Sequence, residues 1–187
     1  MFRGIKLKLG LTKYTNDEVV NILYGFHNEI AKQVMHNEIC DKNKVNEQRA
    51  EVLMFFWLTS GVPFLFNCKN QRFKNILDNN IFDILFGKLK DDYEKNVFDD
   101  IYKSRRGIYN NMLKPNVPSM VFQDYLRLTN KLLFEKPFEE VSEAEELKID
   151  LSFDFIGSSI KNIYISSIIK DVIPMYVGAL KRLSKMT

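Results

Sequence analysis

A mainly α-helical protein, a single-domain bundle of about six to eight helices over residues 1–187, is what this sequence predicts. Three observations carry that expectation. Apolar residues recur at three- and four-residue steps along most of the chain, serine, threonine or acidic caps stand ahead of several of those runs, and no Gly-, Ser- or Pro-rich linker divides them. With 187 residues, 45% of them hydrophobic and 27% charged, the chain is large enough to bury one core without disulfides or metals.

The first segment is an exception to the helical rule. Ile5, Leu7, Leu9 and Leu11 alternate with Lys6, Lys8 and Gly10, the period of a half-buried strand. Thr15 followed by Glu18 has capping-box spacing and opens a helix carrying Val19, Leu23, Phe26, Ile30 and Val34, expected to end near Cys40. A second helix runs from about Val45 to Thr59; its stretch VLMFFWL is apolar on every side, as in a central buried helix, and Gly61 and Pro63 are expected to stop it.

Between Asn67 and Leu89 the interruption Asp78-Asn79-Asn80 predicts two short helices. Asp91 and Glu94 precede a long helix with Val97, Ile101, Ile108 and Met112 inward, closed at Lys114-Pro115 because a residue before proline disfavours helix. Ser119 caps a helix reaching Glu135, and Ser142 to Leu147 forms a short acidic one. Ile149, Leu151, Phe153 and Phe155 alternate with polar residues, a second strand signal, before an Ile-rich helix from 160 to about 184 that Pro174 should bend. Lysines on one strand and aspartates on the other favour a small two-stranded sheet pairing residues 5–11 with 149–155; two isolated extended segments are the alternative.

Several function classes lack their signatures. The eight glycines form no GxGxxG and no GK[ST] loop, and no GxSxG elbow occurs. His27 and His36, nine residues apart, face opposite sides of a helix and read as ordinary polar surface residues rather than as a metal pair. Cys40 and Cys68 form no CxxC pair, which suggests a reducing, cytoplasmic setting, and the longest apolar run, Val52 to Leu58, is too short to span a bilayer. Few alanines among many Asn, Lys and Ile suggest AT-rich coding, as in a low-GC bacterium or its phage. No catalytic residue, metal or cofactor is predicted.

Two charged clusters remain. Lys103, Arg105 and Arg106 lie between Tyr102 and Tyr109, a basic and aromatic arrangement that can pair phosphates and stack bases, with Lys69, Arg72 and Lys74 as an extension. Glu135, Glu139, Glu140, Glu143, Glu145 and Glu146 form an acidic belt suited to a basic partner. The net charge, 27 cations against 24 acids or +3, is too small to imply a polyanion partner by itself. The first expectation is therefore a non-catalytic protein-interaction module of the inhibitor, antitoxin or regulator type. RNA binding through the basic cluster is the alternative. A metal-dependent helical enzyme built on Asp92 and Asp99 ranks third, since two carboxylates two turns apart need others to close an ion shell.

Overall fold

The computed structural model describes residues 13–35, 41–112, 118–139 and 163–187, and these are mainly helical. Helix α1 spans Asn16–Met35 and α2 spans Val45–Phe56; a π-helical turn, Trp57–Gly61, joins α2 directly to α3, Val62–Asn67. Then come α4 (Gln71–Phe86), α5 (Lys95–Met112) and α6 (Ser119–Asn130), which continues into a second π turn, Lys131–Glu135. Residues 163–167 are helical and lead through a third π turn, Ile168–Val172, into α7, Ile173–Met186. The proposed strands 5–11 and 149–155, the sheet pairing them, and the acidic helix from Ser142 lie outside the described residues. Among the described residues there is no strand.

The capping box at α1 forms as its spacing predicts. The Thr15 N–H donates to Glu18 Oε2 at 2.7 Å, and the Glu18 N–H donates back to Thr15 Oγ1 at 3.3 Å. Asn70 caps α4 in the same manner, its Oδ1 accepting from the Phe73 N–H at 3.0 Å.

Two sequence expectations need correction. Gly61 and Pro63 do not stop the second helix. Gly61 lets the Trp57 ring lie against the backbone, where a Cβ would collide with it, and Pro63 falls in the first turn of α3, where its missing N–H is not needed. Asp78-Asn79-Asn80 does not break α4 either: Asp78 and Asn79 are exposed, and Asn80 returns its amide to the Ile76 carbonyl at 2.7 Å. Pro174 sits in the first turn of α7, directly after the π turn Ile168–Val172.

Every residue from Ala50 to Gly61 is buried, which accounts for the all-round apolar stretch. Around this spine α1 and α4 pack on α2, α5 packs on both α2 and the Trp57–Gly61 turn, and α7 lies against that same turn. One hydrophobic cluster draws side chains from all of these helices. Phe55 and Phe56 lie at its centre, each contributing about 1.5–3 kcal/mol through burial.

Candidate functional site

The charged groups sort into those used inside the fold and those left at its surface. Glu51 is the second residue of the buried stretch that begins at Ala50 in α2, where a carboxylate survives only if its lone pairs are satisfied. Four donors meet it. Arg105 donates from Nε to Oε1 at 2.7 Å and from Nη2 to Oε2 at 3.1 Å, Tyr109 donates its hydroxyl to Oε1 at 2.9 Å, and the Phe138 N–H reaches Oε2 at 3.0 Å. Arg105 also donates from Nη2 to the Glu139 carbonyl at 2.7 Å. Burial pulls the guanidinium pKa down, but the charge and hydrogen bonds of Glu51 outweigh it and the net shift is upward; burial raises the Tyr109 phenol well above its usual range.

Phe138 is held there with φ at 62°, a left-handed conformation that strains a non-glycine residue. Its ring packs among Tyr93, Phe98 and Phe86, with centroids 5.0, 5.6 and 5.9 Å away. Aromatic packing on one side and the Glu51 acceptor on the other hold this backbone in place. Immediately beyond, the Glu139 carboxylate lies at the surface, paired with Lys44 at 3.0 Å.

The basic cluster is thereby divided. Arg105 and Tyr109 are fully buried, so neither can reach a ligand in solvent. Tyr102 is half-buried and accepts from Trp57 Nε1–H at 3.1 Å. Lys103 and Arg106 are exposed, and Lys103 lies 3.6 Å from Asp100. The sequence held a signal for this division. Arg105 and Tyr109 fall four and eight residues after Ile101, on the inward face of α5, while Glu51 directly precedes the apolar run Val52 to Leu58.

His27 departs from expectation as well, since it is buried rather than on the helix surface. One ring nitrogen, Nδ1, donates to the Leu23 carbonyl at 2.7 Å, which leaves Nε2 to accept from the Tyr176 hydroxyl at 3.0 Å. Burial pushes the imidazole pKa down to about 4, so at neutral pH the ring is an uncharged link between α1 and α7. His36 lies outside the described residues.

Elsewhere, Arg49 ties α2 to its neighbours through Asn28 Oδ1 at 2.8 Å and the Ile84 carbonyl at 3.3 Å, and its burial lowers its pKa. A cavity of about 510 Å³ opens between α1 and α4, lined by Asn16, Asp17, Arg72, Asn75, Asn79 and Asn80 over Val20 and Ile76. Arg72 donates there to Asn16 Oδ1 at 2.8 Å and to the Tyr14 and Thr187 carbonyls at 3.0 and 2.9 Å, so its role is to fasten chain segments together. Among the described residues no three His, Cys, Asp or Glu side chains converge as a metal set, and Asp92 and Asp99 are both exposed. Of the acidic belt, Glu135 is exposed and Glu139 half-exposed, while Glu140, Glu143, Glu145 and Glu146 lie outside the described residues.

Among the described residues, two helices are long and apolar enough to cross a membrane by length and composition, Lys42–Asn67 and Ile163–Met186. The first is mostly buried inside the protein, 72% of its most apolar window against 22% for the second. Compared with known family models, characterised proteins and solved structures, the chain has no match.

Proposed function

We propose that the protein is a non-catalytic interaction module, of the inhibitor, antitoxin or regulator type, that presents the acidic belt from Glu135 to Glu146 to a basic protein partner. One observation supports this reading above the rest: the head of the belt is fastened to the core. Phe138 and Glu139 are gripped by the buried Glu51–Arg105 pair, at the cost of a strained backbone. A fixed launch point for a run of carboxylates suits electrostatic docking, which speeds association and selects the partner by charge.

Affinity capture from the source cell, with and without nuclease, tests the reading. A partner that survives nuclease, is released by salt and is lost on joint Glu143→Lys, Glu145→Lys and Glu146→Lys substitution is the expected result. Capture that disappears with nuclease would favour RNA binding instead, through Lys103 and Arg106, the cations of that cluster that remain exposed.

A further inference from the structure

The end of the molecule remote from Glu139 is rich in exposed cations. The helix Lys42–Asn67 is 26 residues long, roughly 38 Å at about 1.5 Å per residue, with the Lys44–Glu139 pair at its start. At its finish the chain segments are laced together. Tyr14 N–H donates to the Met186 carbonyl at 2.9 Å, and Asn70 Nδ2 donates to the Ser184 carbonyl at 2.6 Å. This lacing gathers exposed Lys13, Lys69, Lys181, Arg182 and Lys185 at one end. The nearby acids are Asp17 and Glu18, and Glu18 already serves as the α1 cap.

Exposed apolar side chains accompany these cations, Phe66 three residues before Lys69 and others further back along α7. Phe66, four residues ahead of Asn70, is 79% exposed, the most exposed large hydrophobic side chain described, and Pro63 beside it is exposed too. On the helix that delivers Lys181, Arg182 and Lys185, Pro174 and Met175 face solvent, and only 22% of a window with mean hydropathy 1.4 is buried.

We propose that this end docks on an anionic phospholipid bilayer, with Phe66 entering the boundary between headgroups and acyl chains while Lys69, Lys181, Arg182 and Lys185 pair with lipid phosphates. Cations interspersed with apolar side chains match such a surface, since membrane attraction sums buried apolar area and charge. Single-stranded nucleic acid would satisfy the cations and could stack on Phe66, but it offers nothing to Pro63, Pro174 or Met175. Docking is peripheral, because α7 is bound to the body through Tyr176–His27 and Ser184–Asn70, and the helical segment 163–167 ahead of it through the Tyr164 hydroxyl, which donates to the Val34 carbonyl at 2.9 Å. None of these cations or apolar side chains belongs to the acidic belt, so this proposal goes beyond the protein-binding reading and stands or falls without it.

Sedimentation of the full chain with vesicles tests the proposal. It should pellet with vesicles of phosphatidylcholine mixed with phosphatidylglycerol, not with phosphatidylcholine alone, and high salt should release it. Joint Lys181→Ala, Arg182→Ala and Lys185→Ala substitution should weaken partitioning about 100-fold, roughly 5-fold per lost cation, with the circular dichroism spectrum unchanged. In Phe66→Trp the emission should shift to the blue on mixed vesicles, whereas the native Trp57, 3% exposed and bonded to Tyr102, gives a wild-type baseline that does not move. Failure to pellet, equal pelleting with both vesicle types, retention through alkaline carbonate extraction, an unmoved Phe66→Trp emission, or tighter binding to single-stranded RNA than to mixed vesicles would each overturn it.

Discussion

Arg105 and Glu51 meet at 2.7 Å with neither side chain exposed to solvent, and this pair, 54 residues apart in sequence, locks α5 to α2. Its worth is asymmetric. Attraction between two buried charges roughly offsets the cost of desolvating them, but removing one partner leaves the other stranded. Glu51→Ala is expected to lower unfolding free energy by about 3–5 kcal/mol. Joint replacement with Glu51→Met, Arg105→Met and Tyr109→Phe should cost less than that single change, as urea denaturation can measure. A triple variant less stable than Glu51→Ala would contradict this account.

The neighbouring cations should behave differently. Lys103→Ala and Arg106→Ala remove exposed side chains and are expected to leave the melting temperature within a degree or so of wild type, whereas Arg105→Ala should lower it sharply. Thermal scans of the three variants distinguish the inward arginine from the solvent-facing pair.

Acid should loosen the contact between α1 and α7. The His27 pKa is pushed from 6.5 down to about 4 by burial, so between those values the unfolded chain takes up a proton that the folded one refuses. This contribution to stability is therefore fully present above pH 6.5 and is lost as pH falls towards 4, in all about 3 kcal/mol. His27→Gln should flatten the slope of stability against pH in that window. An unchanged slope would show that the imidazole is not held neutral.

Gly61→Ala should destabilise by about 1–3 kcal/mol, because its Cβ would run into the Trp57 ring one turn earlier. Movement of that ring would also stretch the Trp57–Tyr102 hydrogen bond, so a red shift in the single tryptophan's emission should accompany the loss. Unchanged emission in a destabilised variant would place the strain elsewhere.

Helical periodicity made most helices legible, and the Thr15–Glu18 spacing marked the start of α1 correctly. What periodicity could not resolve was continuity. Gly61 with Pro63 reads as a terminator, yet the chain passes through as a π turn in which Gly61 leaves room for the Trp57 ring, a tertiary contact that local sequence does not show. Asp78 and Asn79 look like breakers because propensity is local, yet the helix survives since both point outward while Leu77, Ile84 and Leu85 anchor the other face. The charged network was hidden for a related reason. Glu51 and Arg105 satisfy each other across two helices, so each taken alone reads as a solvated residue.

The length of the Lys42–Asn67 helix has an electrostatic consequence. Roughly 38 Å separates the Glu139 end from the Lys181–Lys185 end, while a field in physiological salt decays over about 8 Å. Neutralising one end is therefore not felt at the other. Two differently charged partners could be held at once, each with the affinity it has alone, and the chain would act as a rigid spacer between them.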